Sequence, residues 1–246
     1  MFLQVSLNGS RTRNDHPVVP VTPLEMAQDI HKLFLAGARS VHLHARNNQG
    51  KETLDPDSVA ESLTQVRAVC PEIELALSTA EYIVGNPRQR LDLLAAWSVL
   101  PDTLCVNLSE EGIDEVIALA QRRGISLEAG LFTPADVLHL RSLDHVEWKR
   151  ILLEPLSTIP GRAEIQLALL EEALGTSRLA VPHVIHGMED ATYPLLRRAA
   201  VTTQASRIGF EDTLILPDGS LAADNVDLYQ TGLSLMGEAI QTHAQR

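Results

Sequence analysis

Hydrophobic and polar positions along the chain fall into two periods that take turns. Short β-branched or aliphatic runs alternate with longer stretches carrying the period of an amphipathic helix. The strands this predicts are Phe2–Leu7, Ser40–Ala45, Ile73–Ser78, Thr103–Leu108, Ile125–Ala129, Arg150–Glu154, Ala180–Ile185 and Ser206–Gly209. Thr22-Pro23-Leu24-Glu25 opens the first helix with a capping box and a proline at the first helical position, and Gly37 closes it. Further helices are predicted over Asp57–Val69, Pro87–Val99, Ile113–Arg123, Arg162–Leu174, Asp190–Ala200 and Asn225–His243, with another opened by Thr133-Pro134. No low-complexity tract or linker interrupts the pattern, so one domain over 1–246 is expected.

Eight such βα units in 246 residues point to an α/β fold of the TIM type, a single (β/α)8 barrel. A doubly wound sheet also alternates, but it normally carries a glycine-rich first crossover, which this chain lacks. Aromatics are only 4% of residues, so the core falls to Leu, Val, Ile and Ala, and these are expected to line the barrel.

The net charge of −12 repels nucleic acid and anionic membrane surfaces, so neither is an expected partner. An anionic small molecule would have to be held by local groups. No apolar run approaches the ~20 residues that span a bilayer. The first residues lack the basic head and apolar run of a signal peptide, and the cytoplasm is the expected location. Two cysteines, Cys70 at a helix end and Cys105 in a strand, cannot make a disulfide framework and are read as structural.

In a (β/α)8 barrel the chemistry sits at the C-terminal strand ends. Strand two ends in Val41-His42-Leu43-His44-Ala45-Arg46, and alternate residues share a face, so both imidazoles point the same way. Such a pair suits a divalent metal, or else forms hydrogen-bonded core histidines. Strand eight ends in Arg207-Ile208-Gly209-Phe210-Glu211-Asp212, and barrel closure brings it close to strand two. Glu211 can therefore complete a two-His, one-carboxylate set that leaves a position open for substrate. The remaining ends are polar too: Ser78-Thr79, Asn107-Leu108-Ser109, Glu128, Glu154 and His186-Gly187. An inward carboxylate such as Glu128 or Glu154 must meet a cation, a metal or a donor, and both are expected among the substrate-binding groups.

Several stretches carry a family resemblance. Leu7-Asn8-Gly9, His16-Pro17, Val19-Pro20-Val21-Thr22-Pro23-Leu24-Glu25-Met26, Ala36-Gly37-Ala38 and the His42-Leu43-His44 segment resemble the β-keto acid cleavage enzymes. This is the family of the 3-keto-5-aminohexanoate cleavage enzyme. Glu128-Ala129-Gly130-Leu131, Glu154-Pro155, His186-Gly187 and the Arg207–Asp212 segment continue the match over nearly the whole chain. The resemblance implies a zinc-dependent barrel enzyme that condenses a β-keto acid with acetyl-CoA and cleaves the product to acetoacetate and a new acyl-CoA. It implies zinc ligation by His42, His44 and Glu211, and a basic role for Asp212 tuned by Arg207. It also implies substrate binding by Ser78 and Asn107. A cation beside Asp212 would depress its pKa.

Two departures bear on the substrate. Family members that act on amino-substituted keto acids carry an acid soon after strand one, where this chain has Gly9-Ser10-Arg11. A guanidinium there repels an amine and pairs with a carboxylate, so Arg11 is expected to favour a neutral or acidic keto acid. Glycines that often follow the strand-three serine and threonine are replaced by Ala80-Glu81. A zinc-dependent hydrolase or aldolase, or a non-catalytic anion-binding barrel, could use the same residues. The resemblance and the Leu167-Ala168-Leu169-Leu170 run suggest a homo-oligomer.

Overall fold

A computed structural model describes residues 1–175 and 181–245. The strands are β1 (Phe2–Ser6), β2 (Ser40–Leu43), β3 (Glu74–Ser78), β4 (Thr103–Asn107), β5 (Ser126–Leu131), β6 (Trp148–Leu153), β7 (His183–Ile185) and β8 (Ala205–Ile208). All pair in parallel and in sequence order, and β8 closes on β1. The helices are α1 (Pro23–Leu35), α2 (Pro56–Val69), α3 (Pro87–Ala95), α4 (Ile113–Arg123), α5 (Pro134–Ser142), α6 (Pro160–Leu174), α7 (Thr192–Thr202) and α8 (Asn225–Ala244). This is the (β/α)8 barrel. The predicted start of strand seven at Ala180 lies outside the described residues.

Local chemistry explains most boundaries. Thr22 and Glu25 form the capping box of α1. Asp55 caps α2 by accepting from the Ser58 N–H at 3.0 Å. Asp136 accepts from the Phe132 and Thr133 N–H groups at 2.8 Å each and so seals the start of α5. Several boundaries differ from expectation by a few residues, and two show why. The chain leaves α3 at Ala95, four residues early, and the Trp97 indole donates to Leu54 O at 2.9 Å instead of continuing the helix. β5 runs on to Leu131, because Gly130 and Leu131 keep pairing with Leu152 and Leu153 of β6.

The distribution of the core corrects one expectation. Leu3, Val5, Leu7, Val41, Leu43, Leu75, Leu77, Leu104, Val106, Ile151 and Leu153 belong to the large apolar cluster shared with the helices. The alternate strand residues are mostly polar: Gln4, Ser6, Ser40, His42, Ser78, Thr103, Glu128, Arg150 and Arg207. Strand alternation sends one set outward and the other into the lumen. The small cluster of Cys105, Leu152, Val184 and Ala205, backed by Phe2, is a separate apolar layer. Branched aliphatics therefore jacket the barrel, and its interior is largely polar.

Deep in the lumen, Gln4 Nε2 donates to Ser40 Oγ at 3.1 Å and to Glu128 Oε1 at 3.0 Å. Arg150 contacts the same Glu128 oxygen at 3.1 Å and also pairs with Glu74. On α6, Leu167 and Leu170 pack on the barrel, whereas Ile165 and Leu169 are exposed. Among the described residues no helix is long and apolar enough to cross a membrane.

Candidate active site

β1 lies between β2 and β8, and it organises the site. Ser6 pairs with His42 on one side and Val5 with Ile208 on the other. The chain continues beyond β8 along β1, where the Glu211 N–H donates to Ser6 O at 3.2 Å. Gly209 permits this approach, since a Cβ there would collide with the Ser6 backbone. Asn8 fixes the other side. Its Oδ1 accepts from the His44 N–H at 3.0 Å and its Nδ2 donates to His44 O at 3.1 Å. His42, His44 and Glu211 thus converge from two strands across a third.

The Nε2 atoms of His42 and His44 are 3.2 Å apart. Glu211 brings Oε2 to 3.6 Å from His42 Nε2 and Oε1 to 3.7 Å from His44 Nε2. On its far side, His44 Nδ1 lies 2.5 Å from Glu52 Oε1. An ionised carboxylate only accepts, so His44 Nδ1 carries the hydrogen and Nε2 presents a lone pair. Glu211 Oε2 is buried with no hydrogen-bond partner among the described residues. Burial holds the His42 pKa well down, which keeps this imidazole neutral. Burial also opposes ionisation of Glu211, but the charge of Arg207 overcomes it and holds that carboxyl well below the usual range.

Two imidazole nitrogens and a carboxylate oxygen, all within 4.8 Å of one another, fit a divalent cation. Two imidazoles with one carboxylate, leaving room for a further ligand, are the donor set of a catalytic zinc. His42 also lies near Cys105 and Glu128, and ligand atoms of those three lie within 4.8 Å of one another. Arg150 already neutralises Glu128, so that second grouping is a poor cation site.

Arg207 stands between the two acids after β8. Its Nη2 donates to Glu211 Oε1 at 2.9 Å and to Asp212 Oδ1 at 3.3 Å. Asp212 is fully buried, and its Oδ2 accepts from Ser6 Oγ at 2.5 Å. The expected depression of its pKa does not occur. Burial raises it, outweighing the opposing pull of Arg207 and His186. His186 faces Asp212 Oδ1 with Nδ1 at 3.8 Å and meets Glu154 Oε2 with Nε2 at 2.7 Å.

These groups border a cavity of about 310 Å³ at the C-terminal mouth of the barrel. His42, His44, Ser78, Asn107, Glu154, His186, Arg207 and Glu211 line it, together with Ser10, Ala80, Tyr82, Cys105, Phe132, Pro155, Leu156 and Met188. Asn107 is oriented by Glu110, which accepts from its Nδ2 at 2.8 Å and is itself gripped by the buried Arg90. Asp212 stands behind the wall, with Arg207 and His186 in front of it. Glu128 is not brought to the cavity and belongs to the lumen network with Arg150 and Gln4. Arg11 does not line the cavity either; its guanidinium pairs with Glu189 from the loop after β7.

Sequence reasoning did not single out Glu52 and Tyr82. Neither sits at a strand end, and the loop that returns Glu52 has no periodic signature. Tyr82 OH donates to Glu52 Oε1 at 2.7 Å.

The site can be set beside known proteins. A 3-keto-5-aminohexanoate cleavage enzyme of Fusobacterium nucleatum is 22% identical, covering 97% of this chain and 92% of its own length. A 3-oxoadipate:acetyl-CoA acetyltransferase of Cupriavidus necator is 26% identical, with 99% and 92% covered. Among solved structures, a ternary complex of ObcA with a C4-CoA adduct and oxalate superposes with a TM-score of 0.73 at 17% identity. That match covers 93% of this chain but only 65% of the ObcA chain, and it bears on the fold alone. The family model of the β-keto acid cleavage enzymes matches residues 1–245, and the chain belongs to that family.

Proposed function

We propose that this protein is a zinc-dependent enzyme that transfers the acyl group of a β-keto acid to coenzyme A, with acetyl-CoA as co-substrate and acetoacetate as the second product. The observation that carries this reading is the convergence of His42, His44 and an unpartnered Glu211 oxygen on one wall of the cavity. The activities for which the bacterial relatives are named support the reaction type.

His42, His44 and Glu211 would hold the metal. Zinc there supplies Lewis acidity toward the β-keto oxygen and stabilises the charge that develops when the neighbouring carbon loses a proton. The protein supplies the rest. Asp212 is the base, and its burial makes it a stronger proton acceptor than an exposed aspartate. Ser6 holds Oδ2, so Oδ1 is the free oxygen; it stands behind the cavity-lining Arg207 and His186, and a proton leaving the cavity reaches it past those two side chains. Arg207 balances the two adjacent acids and limits their mutual repulsion. Ser78 and Asn107, at the ends of β3 and β4, line the same cavity and are the groups assigned to substrate binding.

On the side away from His42 and His44, Phe132, Pro155, Leu156 and Met188, from the loops after β5, β6 and β7, line the cavity beside the paired Glu154 and His186. Arg207 is the cationic side chain on the cavity lining, and Glu211 and Asp212 already occupy it. A neutral, apolar substrate tail matches these surroundings better than an acidic or amino-substituted one. Assembly into a homo-oligomer completes the reading, with the exposed Ile165 and Leu169 of α6 as apolar surface for it.

The test is a panel of neutral, dicarboxylic and amino-substituted β-keto acids, with and without acetyl-CoA. Acetoacetate and a new acyl-CoA should appear together, only with acetyl-CoA, and fastest with a neutral acid. Consumption of the keto acid without acetyl-CoA would point to the hydrolase or aldolase instead.

A further inference from the structure

Of the two histidines, only His44 is oriented by a carboxylate. Glu52 lies eight residues beyond it and returns through a small hairpin. Arg46 and Glu52 form an antiparallel bridge, the Asn47 N–H donates to Lys51 O at 2.8 Å, and the Thr53 N–H donates to Ala45 O at 3.0 Å. The turn closes at Gly50, whose φ of +75° is the left-handed conformation that glycine adopts without strain. Arg46 fastens the hairpin to the first loop by donating to the carbonyls of Gly9 and Arg11. Glu52 Oε1 is thereby held 2.5 Å from His44 Nδ1. Tyr82, from the loop after β3, donates its hydroxyl to the same oxygen at 2.7 Å. His42 Nδ1, by contrast, is buried with no hydrogen-bond partner among the described residues.

We propose that Glu52 is the positioning residue of the metal site, holding His44 with its Nε2 lone pair aimed at His42 and Glu211, and that Tyr82 locks Glu52 in that pose. The inference rests on the ligand assignment proposed above. The physical reason is tautomer control: without an acceptor at Nδ1, the hydrogen can move to Nε2 and the ring can turn away. An outer carboxylate on a ligating histidine typically contributes ~10–100-fold in metal affinity.

The experiment measures zinc affinity of the whole chain by competition with a chromophoric chelator, for wild type, Glu52→Ala, Glu52→Gln and Tyr82→Phe. The thermal midpoint of each metal-free protein is recorded alongside. Glu52→Ala should lose ~10–100-fold in affinity. Glu52→Gln should recover part of it, because its amide oxygen still accepts from Nδ1–H, and Tyr82→Phe should lose less than Glu52→Ala. The metal-free midpoints should stay together. If wild type binds zinc and Glu52→Ala binds it as tightly, the positioning role is overturned and the ligand assignment stands. If the metal-free midpoint of Glu52→Ala collapses and Glu52→Gln recovers no affinity, Glu52 is a structural residue and the proposal is equally overturned. If wild type binds no zinc, the ligand assignment falls, and the role of Glu52 falls with it.

Discussion

The Nε2 atoms of His42 and His44 face each other at 3.2 Å, with Glu211 bridging beneath them. With Glu52 on the far side of His44, this arrangement turns His44 Nε2 toward His42 Nε2 and the Glu211 carboxylate, a donor set that a divalent cation would fill. His44→Ala should therefore lose most of its zinc. Elemental analysis after dialysis checks this, and full occupancy in the variant would remove His44 from the ligand set.

Gly9 gives a sharper steric test. Its φ is +48°, and a Cβ there would collide with Cγ of Glu211. Gly219 also has a positive φ, +87°, but nothing lies within 4 Å of its notional Cβ. Alanine at either position costs ~1–2 kcal/mol of backbone strain. Only Gly9→Ala should also displace the Glu211 carboxylate and weaken zinc binding. Equal zinc affinity in the two variants would mean that Glu211 does not contribute.

Asp212→Asn separates base from ligand. The amide is nearly isosteric, so zinc should be retained, but it cannot accept the proton at Oδ1. Turnover should fall by ~10²–10⁴-fold. Parallel loss of metal and turnover would mean that the roles of Glu211 and Asp212 are exchanged.

Away from the site, Asp29 predicts a pH effect on stability. Burial, reinforced by Asp224, raises its pKa from 3.8 to about 6, against the hydrogen bond from Asn225 and the charge of Lys32. Asn225 Nδ2 donates to Asp29 at 2.8 Å and to Leu7 O at 2.9 Å, while its Oδ1 accepts from the Phe210 N–H. Between the two pKa values the folded chain binds more protons than the unfolded one. Stability contributed by this group therefore falls as pH rises through that window and stays low above it. The shift corresponds to ~2–3 kcal/mol. Denaturant titrations of wild type and Asp29→Asn should diverge by that order between pH 4 and 6, with the variant more stable at neutral pH; a pH-independent difference would contradict it.

The parts legible in the sequence were those governed by local rules. Thr22-Pro23 with Glu25, and Pro134 with Asp136, announce helix starts because the caps lie within a few residues. His42 and His44 share a face because a strand has a period of two, and barrel closure brings Glu211 to them. Long-range contacts were not legible. Nothing local ties Arg11 to Glu189, 178 positions away, so its engagement by an acid emerges only when the loops after β1 and β7 meet. Glu52 was missed for a similar reason, since only the folded hairpin brings it back to His44. The sign of the Asp212 shift also required the fold, because burial outweighs the arginine that the sequence places beside it.

The most direct test of the proposed reaction follows a carbon label. Loss of a proton from the carbon between the two carbonyl groups creates a nucleophile that attacks the acetyl carbonyl and releases CoA thiolate. That thiolate then adds to the original ketone, and carbon–carbon cleavage gives acetoacetate and the new acyl-CoA. With acetyl-CoA labelled at its carbonyl carbon, the account predicts label at the keto carbon of acetoacetate and none in the acyl group of the new thioester. Unlabelled acetoacetate, or label in the new acyl group, would contradict it.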